Sequence, residues 1–452
     1  MHAAQLVAND AVYYYLARSG RNTDWPMWWV FDSADGPAPT AQEVVAHFTT
    51  RAAVFEPLRR RIHEAPGGFA HPFWVADDSP VEDHLVAHPA GMTWAACQHA
   101  MAELLIEQLD ARECAWRLHI FPDVSGIDTL TGAGTVVLMH TSHALMAGPA
   151  MTSLSEALFA ATPAPVHIDG QPAAAQRVRA WPAAVAGALS TPWRLARFIG
   201  AVGRENRNIA RDGGEGWLTQ RPRTKTALNR RVGRGRAMRT VPLDVSAVRV
   251  PGVTVTAVGL TAISLAMQRY FGKHDAPCPD DLAAYVTIAV PEATVMGVNR
   301  VGADVIDLHP GESGLADRAR AVDATLRARR GSASSPRELI RLGLVDGLPS
   351  RSYRARFGTL PAADPNAPDP AHTILTSIRC ELSAELSLPG SRFRFAGMLP
   401  PVYPDIALAH SFVGADKAFA VSVACDPDIV PDLDTYCDLL VDAFGELAVA
   451  LA

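Results

Sequence analysis

His143 ends an apolar run, Val136-Val137-Leu138-Met139-His140-Thr141-Ser142-His143, and a small-residue stretch follows it through Gly148. The run reads as a buried strand. A buried strand holds an imidazole at its end in a dry, fixed position, the setting a general base needs. Such a base can take the proton of a hydroxyl as it attacks an activated acyl group, an effect worth roughly 10²–10⁴-fold. Its immediate neighbour Ser142 points elsewhere on strand geometry and reads as a small filler, with a supporting hydroxyl as the alternative. His140, three positions before His143, faces the other side; no metal ligand set stands out.

Other chemistries lack their signatures. There is no GxSxG elbow, and Ser142 lies too close to His143 for an ordinary triad. No cysteine sits in a nucleophile signature. No GxGxxG and no P-loop is present, so the chain carries no dinucleotide or ATP motif.

The elements that must hold this histidine spread over 452 residues, a length that suggests two domains or two large lobes. The chain is 48% hydrophobic and 19% charged, as in a folded chain with a sizeable core. A net charge of −6 gives no general pull toward nucleic acid. Cys97, Cys114, Cys278, Cys380, Cys425 and Cys437 form no CxxC pair and fit no disulfide or zinc framework, so reduced thiols and a cytoplasmic setting are expected. No basic-then-apolar leader and no uncharged apolar run of ~18 residues appears. Any membrane or lipid-inclusion contact is therefore expected to be peripheral.

Strand and helix signals alternate over residues 1–161, which predicts a layered α/β lobe with the motif histidine. Pro26 to Phe31, Trp116 to Phe121 and Thr135 to Met139 read as strands. Thr40-Ala41-Gln42-Glu43 has the form of a capping box; Trp94 to Leu109 and Ala150 to Ala161 read as helices. Residues 162–239 read as a crossover linker. It is broken by Pro163, Pro165, Pro172, Pro182 and Pro192, with a helix over Trp193 to Ile209. A basic segment from Arg221 to Arg239 ends it, without one acidic residue. That segment reads as a solvated linker or as a patch for anionic lipid or CoA phosphates. Residues 240–452 form the second lobe. Its helices are predicted over Thr254 to Phe271, Ser313 to Arg329 and Asp432 to Leu451. Its strands are predicted over Tyr285 to Val290, Thr373 to Leu388, Ile406 to Phe412 and Phe419 to Ala424, with a Pro/Asp loop over Ala363 to Pro370.

Several segments in order resemble the bacterial wax ester synthase/diacylglycerol acyltransferase family: Asn9-Asp10-Ala11-Val12-Tyr13, Leu109 to His119, Thr226-Ala227-Leu228-Asn229, Asn299-Arg300-Val301-Gly302 and Asp426 to Asp432. The stretch around His143 is similar to the HHxxxDG motif of CoA-dependent acyltransferases. His143 stands at the second histidine and Gly148 at the glycine, with Ser142 and Ala147 in place of the first histidine and the aspartate. The resemblance implies two chloramphenicol-acetyltransferase-like α/β lobes with a central tunnel, acyl-CoA entering from one side and an acceptor alcohol from the other. It implies His143 as general base, with Ser142, Ala147 and Gly148 shaping the motif, and acyl-CoA as co-substrate with no resident cofactor. Thr256 and Ser377 are candidate oxyanion or substrate contacts. The chain departs from the family at Thr256-Ala257, where the family has an Asn-Asp pair, and around Thr376 to Cys380, where its NVPGP-like turn is absent.

Two functions of different class follow. One is an acyl-CoA-dependent O-acyltransferase acting on diacylglycerol or a long-chain alcohol, or on a changed acceptor such as a sugar or polyketide hydroxyl. The other is a catalytically silent homologue that binds acyl lipid or a partner protein.

Overall fold

The computed structural model describes residues 4–33, 36–146, 148–162, 170, 172–211, 222–293, 297–357, 371–382, 385–399, 403–415 and 417–452, with Pro149 by its backbone alone. Ala147, Pro163, Pro165, Arg221 and the loop over Ala363 to Pro370 lie outside the described residues.

The strands are β1 (Trp25–Asp32), β2 (Arg60–His63), β3 (Phe73–Ala76), β4 (Leu85–Ala87), β5 (Trp116–Val124), β6 (Gly134–Thr141), β7 (Ala237–Asp244), β8 (Ala283–Ala289), β9 (Val301–Asp307), β10 (Thr373–Cys380), β11 (Ser387–Leu388), β12 (Ser391–Met398), β13 (Leu408–Ala415) and β14 (Ala418–Cys425). The helices are α1 (Ala8–Arg18), α2 (Ala41–Val54), α3 (Trp94–Leu104), α4 (Met151–Phe159), α5 (Ala180–Arg211), α6 (Val255–Lys273), α7 (Leu315–Ala333), α8 (Pro336–Asp346), α9 (Ser350–Phe357) and α10 (Leu433–Ala450).

Two six-stranded sheets organise the molecule, ordered β11-β12-β1-β6-β5-β4 and β7-β14-β13-β10-β8-β9. Both β1 and β6 are buried at every position. This explains their unbroken apolar runs: strands covered on both faces need no polar alternation. Trp28, Val30, Val136 and Leu138 join one core, shared with Trp94 of α3 and Met238 of β7. Trp29, Phe31, Val137 and Met139 point into the other, with Val44 and Phe48 of α2 and Leu154 and Leu158 of α4. The second sheet packs against α6 and α10. At Gly259 of α6 a Cβ would lie 2.0 Å from the Phe412 ring, so only glycine lets helix and sheet approach this closely.

The sheets do not follow the chain in two blocks. Ser387–Leu388 and Ser391–Met398, within the segment read as the second lobe, complete the first sheet, with β12 antiparallel to β1. The run from Thr373 to Leu388 is accordingly not one strand: β10 ends at Cys380 and the chain crosses between sheets. The predicted helix over Trp193 to Ile209 is longer, Ala180–Arg211, and continues through Pro192. Beside that proline the Ser190 and Thr191 hydroxyls donate to the Gly187 carbonyl. The capping box at Thr40 forms as expected, with Glu43 closing it. Helix α8 has no counterpart among the predicted helices, although Ser335 caps it and Pro336 opens it.

Candidate functional site

Strand β6 delivers His143 to the junction of the sheets. Thr141, the last strand residue, pairs with Trp25 of β1 and Trp116 of β5, and its hydroxyl donates to the Trp25 carbonyl at 2.8 Å. The chain then turns: the Ser142 N–H donates to the Ala115 carbonyl at 2.9 Å, and the Leu145 N–H to the Ser142 carbonyl at 2.8 Å. His143 thus leaves the end of a central strand on a tied turn.

Two contacts orient it. Its imidazole stacks on the Tyr13 ring of α1, centroids 3.9 Å apart and planes 10° from parallel. Its backbone carbonyl accepts the Asn299 Nδ2–H at 3.1 Å. The same Asn299 amide donates to Asp10 Oδ1 at 2.8 Å; the Asn299 and Val298 backbone N–H groups donate to the Asp10 carboxylate at 3.1 and 3.2 Å. Asn9 returns the contact through its Nδ2–H to the Asn299 carbonyl at 2.6 Å. Asp10 of α1 and Asn299, just before β9, are both fully buried. They form a clasp between the first lobe and the second, with His143 on its edge. A carboxylate that deep is tolerable because three N–H groups face it.

Burial sets the electrostatics. Desolvation pushes His143 down to about 4, partly offset by the Asn299 side chain. The imidazole is therefore neutral at neutral pH and free to accept a proton. Its Nδ1 has no hydrogen-bond partner among the described residues. Stacking and the backbone anchor, rather than a carboxylate, hold the ring. Desolvation also raises the Asp10 carboxyl, to about 7, against the pull of its donors.

His143 lines a cavity of about 420 Å³. Tyr13, Trp25 and Gly148 join it from the first lobe, and Tyr285, Thr287, Thr376, Ser377 and Tyr403 from the second. Gly148 opens a short turn, Gly148–Ala150. A Cβ there would stand 3.0 Å from Ile378 Cδ1 of β10, so glycine lets the motif turn abut the second sheet. A second cavity of about 770 Å³ shares Ser377, Ile378 and Arg379 with the first and carries Arg249 and Lys417.

The other expected residues divide. Ser377, on β10, shares the cavity with His143. Thr256, in the first turn of α6, lines the second cavity instead, with its hydroxyl 3.4 Å from Ser377 Oγ and accepting from Arg330 at 3.3 Å. Ser142 is buried and lines a different depression, beside Tyr14 and Asp110. His140 is occupied by Asp24, its Nε2 at 2.8 Å from Oδ2. Three cations of the basic segment are engaged in the fold. Arg223 holds the Asp281 carbonyl, Arg236 the Gly233 and Gly235 carbonyls, and Arg239 the Asp434 carboxylate. Among the described residues no group of three or more His, Cys, Asp or Glu could hold a metal ion.

Asp10, Tyr13 and Asn299 belong to segments that carry the family resemblance, and no other motif in the sequence marks them as site residues. Asp10 carried a signal nonetheless: a carboxylate inside an apolar helix must find donors. Their distance along the chain hid the partner.

The arrangement offers a neutral imidazole, neighbouring hydroxyls and an aromatic wall, suited to removing a proton from a hydroxyl brought into the cavity. Comparison with known proteins places this geometry among relatives. Residues 6–257 match the wax ester synthase/diacylglycerol acyltransferase catalytic domain, and residues 298–448 the matching C-terminal domain. A probable diacylglycerol O-acyltransferase, Tgs4, of Mycobacterium tuberculosis is 25% identical over 210 residues. That match covers 45% of this chain and 42% of the relative, so it spans less than half the relative's length. The wax ester synthase/diacylglycerol acyltransferase of Marinobacter aquaeolei VT8 superimposes over 98% of this chain and 99% of its own, with a TM-score of 0.65 at 14% identity. The trichothecene 15-O-acetyltransferase of Fusarium sporotrichioides does so over 98% and 94%, with a TM-score of 0.57 at 13% identity. A starter condensation domain of rhizomide synthetase, solved with C8-CoA and Leu-SNAC, does so over 99% and 94%, with a TM-score of 0.57 at 12% identity.

Proposed function

Since the chain belongs to the wax ester synthase/diacylglycerol acyltransferase family, we propose that it transfers an acyl group from acyl-CoA to the hydroxyl of a lipid alcohol, a diacylglycerol or a long-chain alcohol. The observation that carries this reading is one neutral imidazole, His143, on a cavity between two acyltransferase-type lobes.

The chemistry needs one base and one oxyanion donor. His143 removes the acceptor hydroxyl proton as the oxygen attacks the thioester carbonyl. The tetrahedral adduct carries its negative charge on the former carbonyl oxygen, where Ser377 is the candidate donor. Collapse breaks the carbon–sulfur bond, and the proton passes from His143 to the departing CoA sulfur. The thioester is already activated, so no covalent enzyme intermediate and no resident cofactor is required. Positioning in the cavity supplies much of the remaining rate. Arg249, Arg379 and Lys417 around the second cavity suit the CoA phosphates. The aromatic wall of the first suits an acyl or alkyl chain. Joined through Ser377, the two would form the tunnel. A relative bound to C8-CoA and a relative named as a diacylglycerol acyltransferase support this choice of substrates.

The alternative is a silent homologue that binds acyl lipid. It is favoured by the loss of the motif's first histidine, at Ser142, and by the unpartnered His143 Nδ1, because a working base is ordinarily oriented through its other nitrogen. Thiol release from a panel of acyl-CoAs, with and without diacylglycerol or hexadecanol, separates the two. Acceptor-dependent release that falls at least ~10²-fold in His143→Ala, with the melting transition nearly unchanged, supports the enzyme. Binding of acyl-CoA or lipid without release supports the silent homologue.

A further inference from the structure

Helix α5 is 32 residues long and buries only Ala180, Ala184, Glu205 and Ile209. Its outer side is apolar. Trp181 is 72% exposed, Leu189 78% and Trp193 66%, with Val185 and Ile199 also open. Trp181, Val185, Leu189 and Trp193 recur every four residues, and Ile199 returns to the same side five turns after Trp181. The row runs for roughly 27 Å along the helix. Scattered exposed apolar residues are ordinary, but a continuous row containing two tryptophans marks an interaction surface.

Charge identifies the partner. In a chain of net charge −6, α5 carries Arg194, Arg197, Arg204, Arg207 and Arg211 against Glu205 alone. Glu205 is buried beside Arg337, at 3.5 Å. The Arg197 guanidinium lies 6.0 Å from the Trp193 ring centre. Among the described residues no helix is long and apolar enough to cross a membrane. The body of the protein holds α5 along one side: a Cβ on Gly187 would meet the Phe69 carbonyl, and Arg194 donates to the Leu348 carbonyl at 3.4 Å.

We propose that α5 docks the protein on an anionic phospholipid surface, lying in the headgroup plane with Trp181, Val185, Leu189, Trp193 and Ile199 inserted and its arginines on the phosphates. An apolar row with tryptophans, a basic remainder and too little apolar length to span is the pattern of an interfacial helix. Arginine stems reach past the apolar row to the headgroups. A second copy paired in parallel fits this surface poorly, since it sets the arginines between Arg194 and Arg211 against their own copies. The proposal is independent of the role of His143.

The test is flotation of the full chain with phosphatidylcholine vesicles and with equimolar phosphatidylcholine–phosphatidylglycerol vesicles, at low and high salt. Wild type is expected to bind the mixed vesicles, to bind them less at high salt, and to bind phosphatidylcholine alone weakly. The Trp181→Ser, Trp193→Ser double variant should lose affinity at least about tenfold. The Arg204→Glu, Arg207→Glu pair should lose about 30-fold on mixed vesicles. These exposed positions should leave thermal unfolding unchanged, which shows that the variants fold. Absence of binding to either vesicle, equal binding of the two compositions, or unaltered binding by both variants would overturn the proposal. So would self-association of wild type, by light scattering, that the tryptophan pair abolishes.

Discussion

Replacing Asn299 by alanine tests whether the clasp between the lobes also positions the base. The substitution removes two hydrogen bonds: Nδ2–H to Asp10 Oδ1 at 2.8 Å and to the His143 carbonyl at 3.1 Å. The first is a bond to a buried carboxyl group, worth about 1.5–3 kcal/mol, and the second about 0.5–1.5 kcal/mol. Asp10 keeps the Val298 and Asn299 backbone donors. The expected loss is therefore about 2–4 kcal/mol rather than the full cost of an orphaned buried charge. Losing the amide also raises the Asp10 carboxyl further, because the Asn299 side chain is what most opposes desolvation there. Urea unfolding at neutral pH measures the stability change. Steady-state thiol release measures the rest: a His143 carbonyl without its anchor lets the imidazole drift, and kcat should fall about 10²-fold. The KM for acyl-CoA should stay within about threefold, since the basic residues of the second cavity are untouched. A destabilised variant with unchanged kcat would show that the clasp fastens the lobes without positioning His143. Full stability with full activity would refute the reasoning altogether.

The pH dependence carries its own sign. His143 is held near 4 by burial, and its neutral form is the base. Under the acyltransferase reading kcat/KM is expected to hold through pH 6 and fall as pH drops through about 4; a limb near the ordinary 6.5 would contradict the site. The same depression means that His143 stabilises the fold above pH 6.5 and loses that contribution as pH falls from 6.5 toward 4, as do His71, held near 4, and His410, held near 3. Acid unfolding monitored by circular dichroism should begin in that window. Gly259→Ala should cost about 1–3 kcal/mol through its clash with Phe412. Denaturant unfolding within ~0.5 kcal/mol of wild type would show that helix and sheet have slack there.

Much of the scaffold was legible along the chain. The runs at Trp25 to Phe31 and Val136 to Met139 are apolar without interruption because both faces of each strand are covered, and such runs announce themselves without tertiary information. The Thr40 capping box and the helix at Thr254 are equally local, settled by side chains three residues apart. His143 stood out for the same reason: it lies two residues beyond one of those strands.

What lay beyond the sequence is whatever joins residues far apart in it. Asp10 and Asn299 are 289 positions apart, and no periodicity pairs them; only the packed lobes bring three donors to that carboxyl. Ser387 to Met398 read as part of the second lobe, yet the edge of β1 draws β12 into the first sheet, since an open buried strand edge must be paired. Thr256 and Ser377 read alike as hydroxyls; the fold gave Ser377 to the His143 cavity and left Thr256 behind it. Sequence determined many of the strand and helix segments and picked out His143 just beyond the central strand, because those depend on neighbours within a few residues. Tertiary structure decided which polar groups share that histidine's cavity, because burial and distance there arise from chain crossings that local pattern does not encode.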